Sequence, residues 1–147
     1  MPLQGSDAER PSFFLQRAMP QLKIFLRYLL GLLFMAAGIN HFWHAAFYVM
    51  IMPPWLPLHL ELVYLSGAAE IALGGLLLFS RWQALAGWGL IALCLAVFPA
   101  NVHMALHPVL FPQFSTHGLW LRLPFQAVAI AWAWWYTRRP PAGLTMA

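Results

Sequence analysis

The chain has 147 residues, 62% hydrophobic and only 8% charged, with 8 Lys and Arg against 4 Asp and Glu. A soluble domain carries about 25% charged residues, so this composition excludes a surface solvated by water over most of its area. The formal net charge of +4 comes from basic residues at the ends of apolar segments, not from a Lys/Arg stripe interleaved with aromatics, so no nucleic-acid partner is expected.

Residues 1–22 are polar and charged around a short apolar patch, Phe13-Phe14-Leu15, and read as a flexible tail, the alternative being a short interfacial helix. The first long apolar run starts late and is span-length, which argues against a cleaved signal peptide. Four such runs follow one another, at 24–44, 60–79, 84–104 and 119–136. Each is near the ~20 residues a helix needs to cross about 30 Å of hydrocarbon, and none alternates like a barrel strand. The expected fold is an all-α membrane protein, a four-transmembrane-helix bundle over 23–137, with tails at 1–22 and 138–147.

Basic residues orient the runs. Arg10, Arg17, Lys23 and Arg27 precede the first, Arg81 lies between the second and third, and Arg138 and Arg139 follow the fourth. Arg122 alone falls on the other side. An excess of Lys and Arg marks the cytoplasmic side, which places both termini inside (N-in/C-in) and two hairpin loops outside. The first loop holds Met52-Pro53-Pro54-Trp55-Leu56-Pro57, whose prolines forbid regular helix. Trp55, with Tyr48 and Phe47, suits the membrane interface. The second loop holds His107, Pro108, Pro112 and His117. Both loops read as rigid caps, or as a docking surface or gate.

Polar residues interrupt the runs: Asn40, His41 and His44 in the first, Ser66 and Glu70 in the second, Asn101 and His103 in the third, Arg122 and Gln126 in the fourth. Glu70 is the most informative. A carboxylate near the middle of a span costs roughly 2.5–3.5 kcal/mol on insertion scales unless paired or protonated, and an intramembrane ionisable residue marks a functional site by default. The other polar residues lie in the outer half, so Asn40, His41, Ser66, Glu70, Asn101, His103, Arg122 and Gln126 are expected to form one polar pocket open to the outside. Ser66, Glu70 and Gly74 follow at intervals of four and share a helix face, a small-residue seam that admits a neighbouring helix. Pro99 frees the carbonyl near Leu95, and Asn101 is placed to satisfy it. Pro124 predicts that the last helix starts near Leu123, with Arg122 at or before its first turn. Arg122 then either reaches toward Glu70, through Gln126 for example, or snorkels to the interface.

His41 and His103 lie at similar depth, but haem is set aside because no C-x-x-C-H is present. The candidate metal ligands are too scattered for zinc, so no metal is expected. Cys94 is alone in an apolar run and reads as a small buried hydrophobe.

Several motifs occur in order: Ala37-Gly38-Ile39-Asn40-His41-Phe42, the Met52 to Pro57 loop, Ser66-Gly67-Ala68-Ala69-Glu70, Phe98-Pro99-Ala100-Asn101-Val102-His103-Met104, and Arg122-Leu123-Pro124-Phe125-Gln126. Over 24–137 they resemble the DoxX-like family of small bacterial integral membrane proteins. The resemblance implies a four-helix bundle in the bacterial inner (plasma) membrane. Some relatives are small subunits of quinone-linked sulfur oxidoreductases, others join oxidative-stress assemblies, and a eukaryotic branch assists assembly of other membrane proteins. No catalytic set carries over. The expected role is an accessory subunit of a quinone- or thiol-linked redox complex, with the lipid bilayer and a membrane or periplasmic oxidoreductase as partners and quinone as the candidate cofactor. The lack of paired cysteines argues against a dithiol role of its own. Two other classes compete: a structural or chaperone-like membrane protein without chemistry, and a membrane enzyme using Glu70 or a His as acid or base on a lipophilic substrate. No nucleophile–base pair is visible, so a stand-alone enzyme is not expected. A transporter fits less well, since no inverted halves are evident.

Overall fold

The computed structural model describes residues 10–138, with side chains from residue 20 onward. Among the described residues every regular element is helical: α1 (Arg10–Trp43), α2 (Ala45–Ile51), α3 (His59–Leu77), α4 (Gln83–Leu106) and α5 (Thr116–Thr137), with 3-10 turns at Ser80–Trp82 and Pro108–Leu110. Three stretches, Pro20–Trp43, His59–Leu77 and Ser80–Leu106, are long and apolar enough to cross a membrane. Helix α5 is long but less apolar, because Arg122, Gln126 and four tryptophans dilute its aliphatic residues.

Three local expectations change. Helix α1 runs back to Arg10, so 10–22 is helical rather than a flexible tail. Pro11 falls in its first turn, where a missing N–H breaks no intrahelical bond. Residues 1–9 and the end of the 138–147 segment lie outside the described residues. Second, α2 interrupts the first connection before the prolines begin; His44 breaks the helix, and the backbone resumes helically at Ala45. Third, α5 starts at Thr116, not near Leu123. Ser115 caps it by accepting the Gly118 N–H at 3.1 Å, which starts the helix two turns earlier and leaves Pro124 inside it.

Two glycine pairs hold α1 against α3. A Cβ added at Gly31 would lie 2.7 Å from Gly74 O, and one at Gly74 would lie 2.6 Å from Gly31 O. A Cβ at Gly38 would lie 2.5 Å from Gly67 O, and one at Gly67 would lie 2.9 Å from Gly38 O. In each helix the glycines are seven residues apart, two turns, so an antiparallel pair of helices meets twice along one face. This seam uses Gly67 and Gly74, with Ser66 and Glu70 beside it.

Helix α4 packs on α3 and α5 on α4, while Tyr136 Oη donates to Lys23 O at 3.0 Å and ties the end of α5 back to α1. Two apolar clusters form. One, near the α1 basic residues, joins Leu30, Leu77, Leu90, Ala133 and Tyr136 from all four long helices. The other, under α2, joins Ile51, Met104, Phe111 and Leu119. The polar residues of α1, α3, α4 and α5 fall between the two.

Gly38→Ala is expected to lower stability by about 1–3 kcal/mol, since its methyl meets backbone that has no room to yield. Gly75→Ala, which meets nothing within 4 Å, is expected to raise stability by about 0.5–1 kcal/mol. Thermal unfolding in a mild detergent compares the two.

Candidate functional site

The Gly38–Gly67 contact places the central side chains. Each glycine leaves room for a polar side chain of the other helix: a Cβ added at Gly67 would lie 2.7 Å from His41 Cβ, and one at Gly38 would lie 2.9 Å from Glu70 Cβ, so the two side chains flank the same glycine contact. Both are buried, His41 at 7% and Glu70 at 8% exposure. Ser66 Oγ donates to Val63 O at 3.0 Å and lies 3.2 Å from His41 Nδ1. In the tautomer that carries its proton on Nδ1, His41 donates to Ser66 Oγ while the serine hydroxyl donates to the Val63 carbonyl. The other ring nitrogen, Nε2, stands 3.9 Å from Glu70 Oε2. That oxygen is buried and has no hydrogen-bond partner. A carboxylic acid beside a neutral imidazole, and a carboxylate beside an imidazolium, both keep this pair neutral overall with one proton to share. The Tyr48 ring packs 3.8 Å from the His41 ring.

A second polar arm comes from α4 and α5. Arg122 Nε donates to Asn101 Oδ1 at 3.1 Å, and Asn101 Nδ2 donates to Gln126 Oε1 at 3.0 Å. Gln126 Nε2 donates in turn to Cys94 O. The side chain that reaches a backbone carbonyl in the turn before Pro99 is therefore Gln126, and the carbonyl is that of Cys94 rather than Leu95. Asn101 is unavailable because both ends of its amide are engaged. Gln126 is buried, so its N–H must find a protein acceptor. Arg122, in the second turn of α5, is anchored inward by Asn101.

Both arms border one cavity of ≈ 700 Å³. His41, Ser66, Glu70, Asn101 and Arg122 line it, together with Tyr48 and many Leu, Val and Ala side chains. Gln126 stands behind Asn101. Two further predicted members, besides Gln126, are absent from its wall. Asn40 Nδ2 donates to Tyr48 Oη at 2.9 Å and its Oδ1 lies 2.8 Å from His44 Nδ1, beside a smaller cleft. His103 Nδ1 lies 3.2 Å from Ile51 O, at the end of α2, and its ring packs on His107. His41 and His103 thus face different partners and do not oppose one another as axial ligands. Among the described residues no three His, Cys, Asp or Glu side chains gather as a metal site. At the loop end the cavity is lined by Ile51, Met52 and Leu56, and Ile51 is buried against Met104, Phe111 and Leu119.

Two residues with structural weight were not singled out from the sequence. Tyr48 read as an interface anchor, yet it turns in against His41; the break at His44 between the two residues removes any helical spacing that could have signalled it. Arg27 read as a topology marker, yet it is 8% exposed and donates from Nη1 to Gln83 Oε1 at 3.0 Å. It stands four residues before Gly31, on the packing stripe.

The family described as Domain of unknown function (DUF8561) matches residues 30–137. The chain belongs to this family. The match runs from the middle of α1 through α5, so the glycine seam, both polar arms and the cavity all lie within the DUF8561 domain. No curated protein and no solved structure matches the chain.

Gln126→Leu is expected to lower stability by about 1–3 kcal/mol, because it strips a partner from both Asn101 and the Cys94 carbonyl. Asn40→Ala, outside this arm, is expected to change stability less. Unfolding midpoints of the two variants in the same detergent give the comparison.

Proposed function

We propose that this DUF8561 protein is a four-span inner-membrane protein of DoxX-like type, with both termini in the cytoplasm, which holds a lipophilic small molecule beside Glu70 as an accessory subunit of a quinone- or thiol-linked redox complex. The DoxX-like and redox parts rest on the motif resemblance. The four-span part is supported by α5 lying alongside α4 with an outward apolar face: Phe125 is 69% and Val128 60% exposed. Such a surface is unfavourable in water and favourable in lipid. The side assignment rests on the distribution of Lys and Arg. A green fluorescent protein fused after Ala147 is then expected to fluoresce, and an alkaline phosphatase fused at Pro112 to be active; the reverse pattern would invert the topology.

The observation that carries the binding role is Glu70 Oε2, buried without a partner on the wall of a cavity lined mainly by apolar side chains. Buried polar groups are normally hydrogen-bonded, and leaving one unmade costs roughly 1–3 kcal/mol. A bound molecule with a polar end removes that cost, and its apolar remainder fits the walls. Cys94 is the only cysteine of the sequence, so the chain forms no dithiol pair of its own and a dithiol step would need a partner's cysteine.

The buried His41 and Glu70, with Nε2 3.9 Å from Oε2 on the wall of the cavity, favour a second reading, a membrane enzyme moving a proton on a lipophilic substrate. Native mass spectrometry of the protein extracted gently from its own membranes tests both. The expected result is a small lipophile, or an oxidoreductase subunit, retained by the wild type and missing from folded Glu70→Gln. Chemical change of that molecule by the isolated protein would select the enzyme. Bulk lipid alone on both proteins would mean that the polar layer is structural.

A further inference from the structure

Glu70 and the cavity beside it carry more than the presence of a ligand. We infer that the molecule taken there is a single-chain lipophile ending in a hydroxyl, admitted sideways between α3 and α4. This rests on the cavity reading above and names its ligand class and its route.

The route follows from the rim. Among the residues that line the cavity only Leu65 and Ala96 are exposed, and both are apolar. They stand on α3 and α4, which face each other across the cavity. At the loop end Met52 and Leu56 are only half-buried and Ile51 is buried in an apolar cluster with Met104 and Phe111, so none of the loop residues on the wall is as open as Leu65 and Ala96. A molecule arriving from the hydrocarbon meets only Leu and Ala at the gap, and its chain remains there once the head has entered. The ≈ 700 Å³ falls within the ordinary range for small-molecule sites, about 300–1,000 Å³.

The head group follows from the polar wall. His41 Nδ1 is turned to Ser66, and Nε2 faces Glu70 at 3.9 Å, too far for a hydrogen bond between them. A hydroxyl both donates and accepts. It therefore completes Glu70 Oε2 whether the shared proton sits on the carboxyl group or on the imidazole. An ether or ketone only accepts, and serves one of those two states. An anionic head would be drawn to Arg122 on the same wall, but it has no proton to give the carboxylate state, whereas a hydroxyl does. Arg122 is held at Nε by Asn101, and its remaining N–H groups border the cavity as donors to the oxygen of the same hydroxyl or to a second oxygen on the head.

The test uses the full chain in phosphatidylcholine nanodiscs with two probes, 4-decylphenol and its methyl ether 4-decylanisole, which share chain and ring and differ by one O–H. The phenol is expected to bind one per chain, at least about tenfold tighter than the ether, a factor of ten corresponding to about 1.4 kcal/mol. Glu70→Leu is expected to erase the difference between the probes. Leu65→Trp and Ala96→Phe, which narrow the gap without touching the polar wall, are expected to slow the association of both probes by about tenfold; if one variant fails to fold, the other gives the result. Equal binding of phenol and ether overturns the hydroxyl and leaves the cavity reading standing. Unchanged association in a folded gap variant overturns the sideways route. Binding of neither probe overturns this inference, and the absence of any co-purified molecule as well overturns the cavity reading beneath it.

Discussion

The contact between Gly38 of α1 and Gly67 of α3 is the constraint on which the rest of the site depends. Each carbonyl occupies the space that a side chain on the opposite glycine would need, so the two backbones approach as closely as helices can. Van der Waals packing over such a contact is strong because it engages backbone as well as side chains. The second pair, Gly31 with Gly74, repeats the contact two turns away and fixes the direction of the pair. Antiparallel helices locked at these two points have one register. That register puts His41 beside Ser66 and Glu70, and this arm of the polar layer cannot be adjusted without moving the seam.

Around this seam the bundle sorts its side chains by solvent demand. Apolar clusters occupy both ends, Leu30 through Tyr136 at one and Ile51 through Leu119 at the other. Most of the buried polar groups lie in the layer between them, Arg27 with Gln83 standing apart, and burial demands a protein partner for each. Arg122, Asn101 and Gln126 find theirs as a chain that ends on a backbone carbonyl. Glu70 does not. The two arms border the same cavity and have opposite characters: one is satisfied, the other holds an open valence. A layer built only for register would be expected to close both.

The long helices and the inward place of Glu70 were legible in the sequence. The 60–79 run became His59–Leu77 and the 84–104 run became Gln83–Leu106, because continuous apolar stretches of that length leave the backbone few alternatives to a helix. The burial of Glu70 was legible from Ser66 and Gly74 on the same face. Local punctuation was not. Pro124 suggested a helix start, but Ser115 supplied a better cap two turns earlier, and a proline inside a helix is tolerated where neighbours reoccupy the freed groups. Helix α2 was hidden because a seven-residue helix has no periodicity to read. The inward turn of Tyr48 and the outward turn of Asn40 and His103 depend on how α2 folds back over the bundle, a tertiary contact that spacing along one chain does not encode.

The central claim is that Glu70 is kept for a ligand and lowers the stability of the empty fold. The most direct measurement is the unfolding midpoint of Glu70→Leu against wild type, both stripped of co-purified small molecules in the same detergent. Replacing a buried, unpartnered carboxyl group by an apolar side chain of similar size removes a desolvation cost, and functional sites characteristically trade stability in this way. The account predicts a higher midpoint for Glu70→Leu. A midpoint lower by several degrees would contradict it and make Glu70 a structural partner of His41.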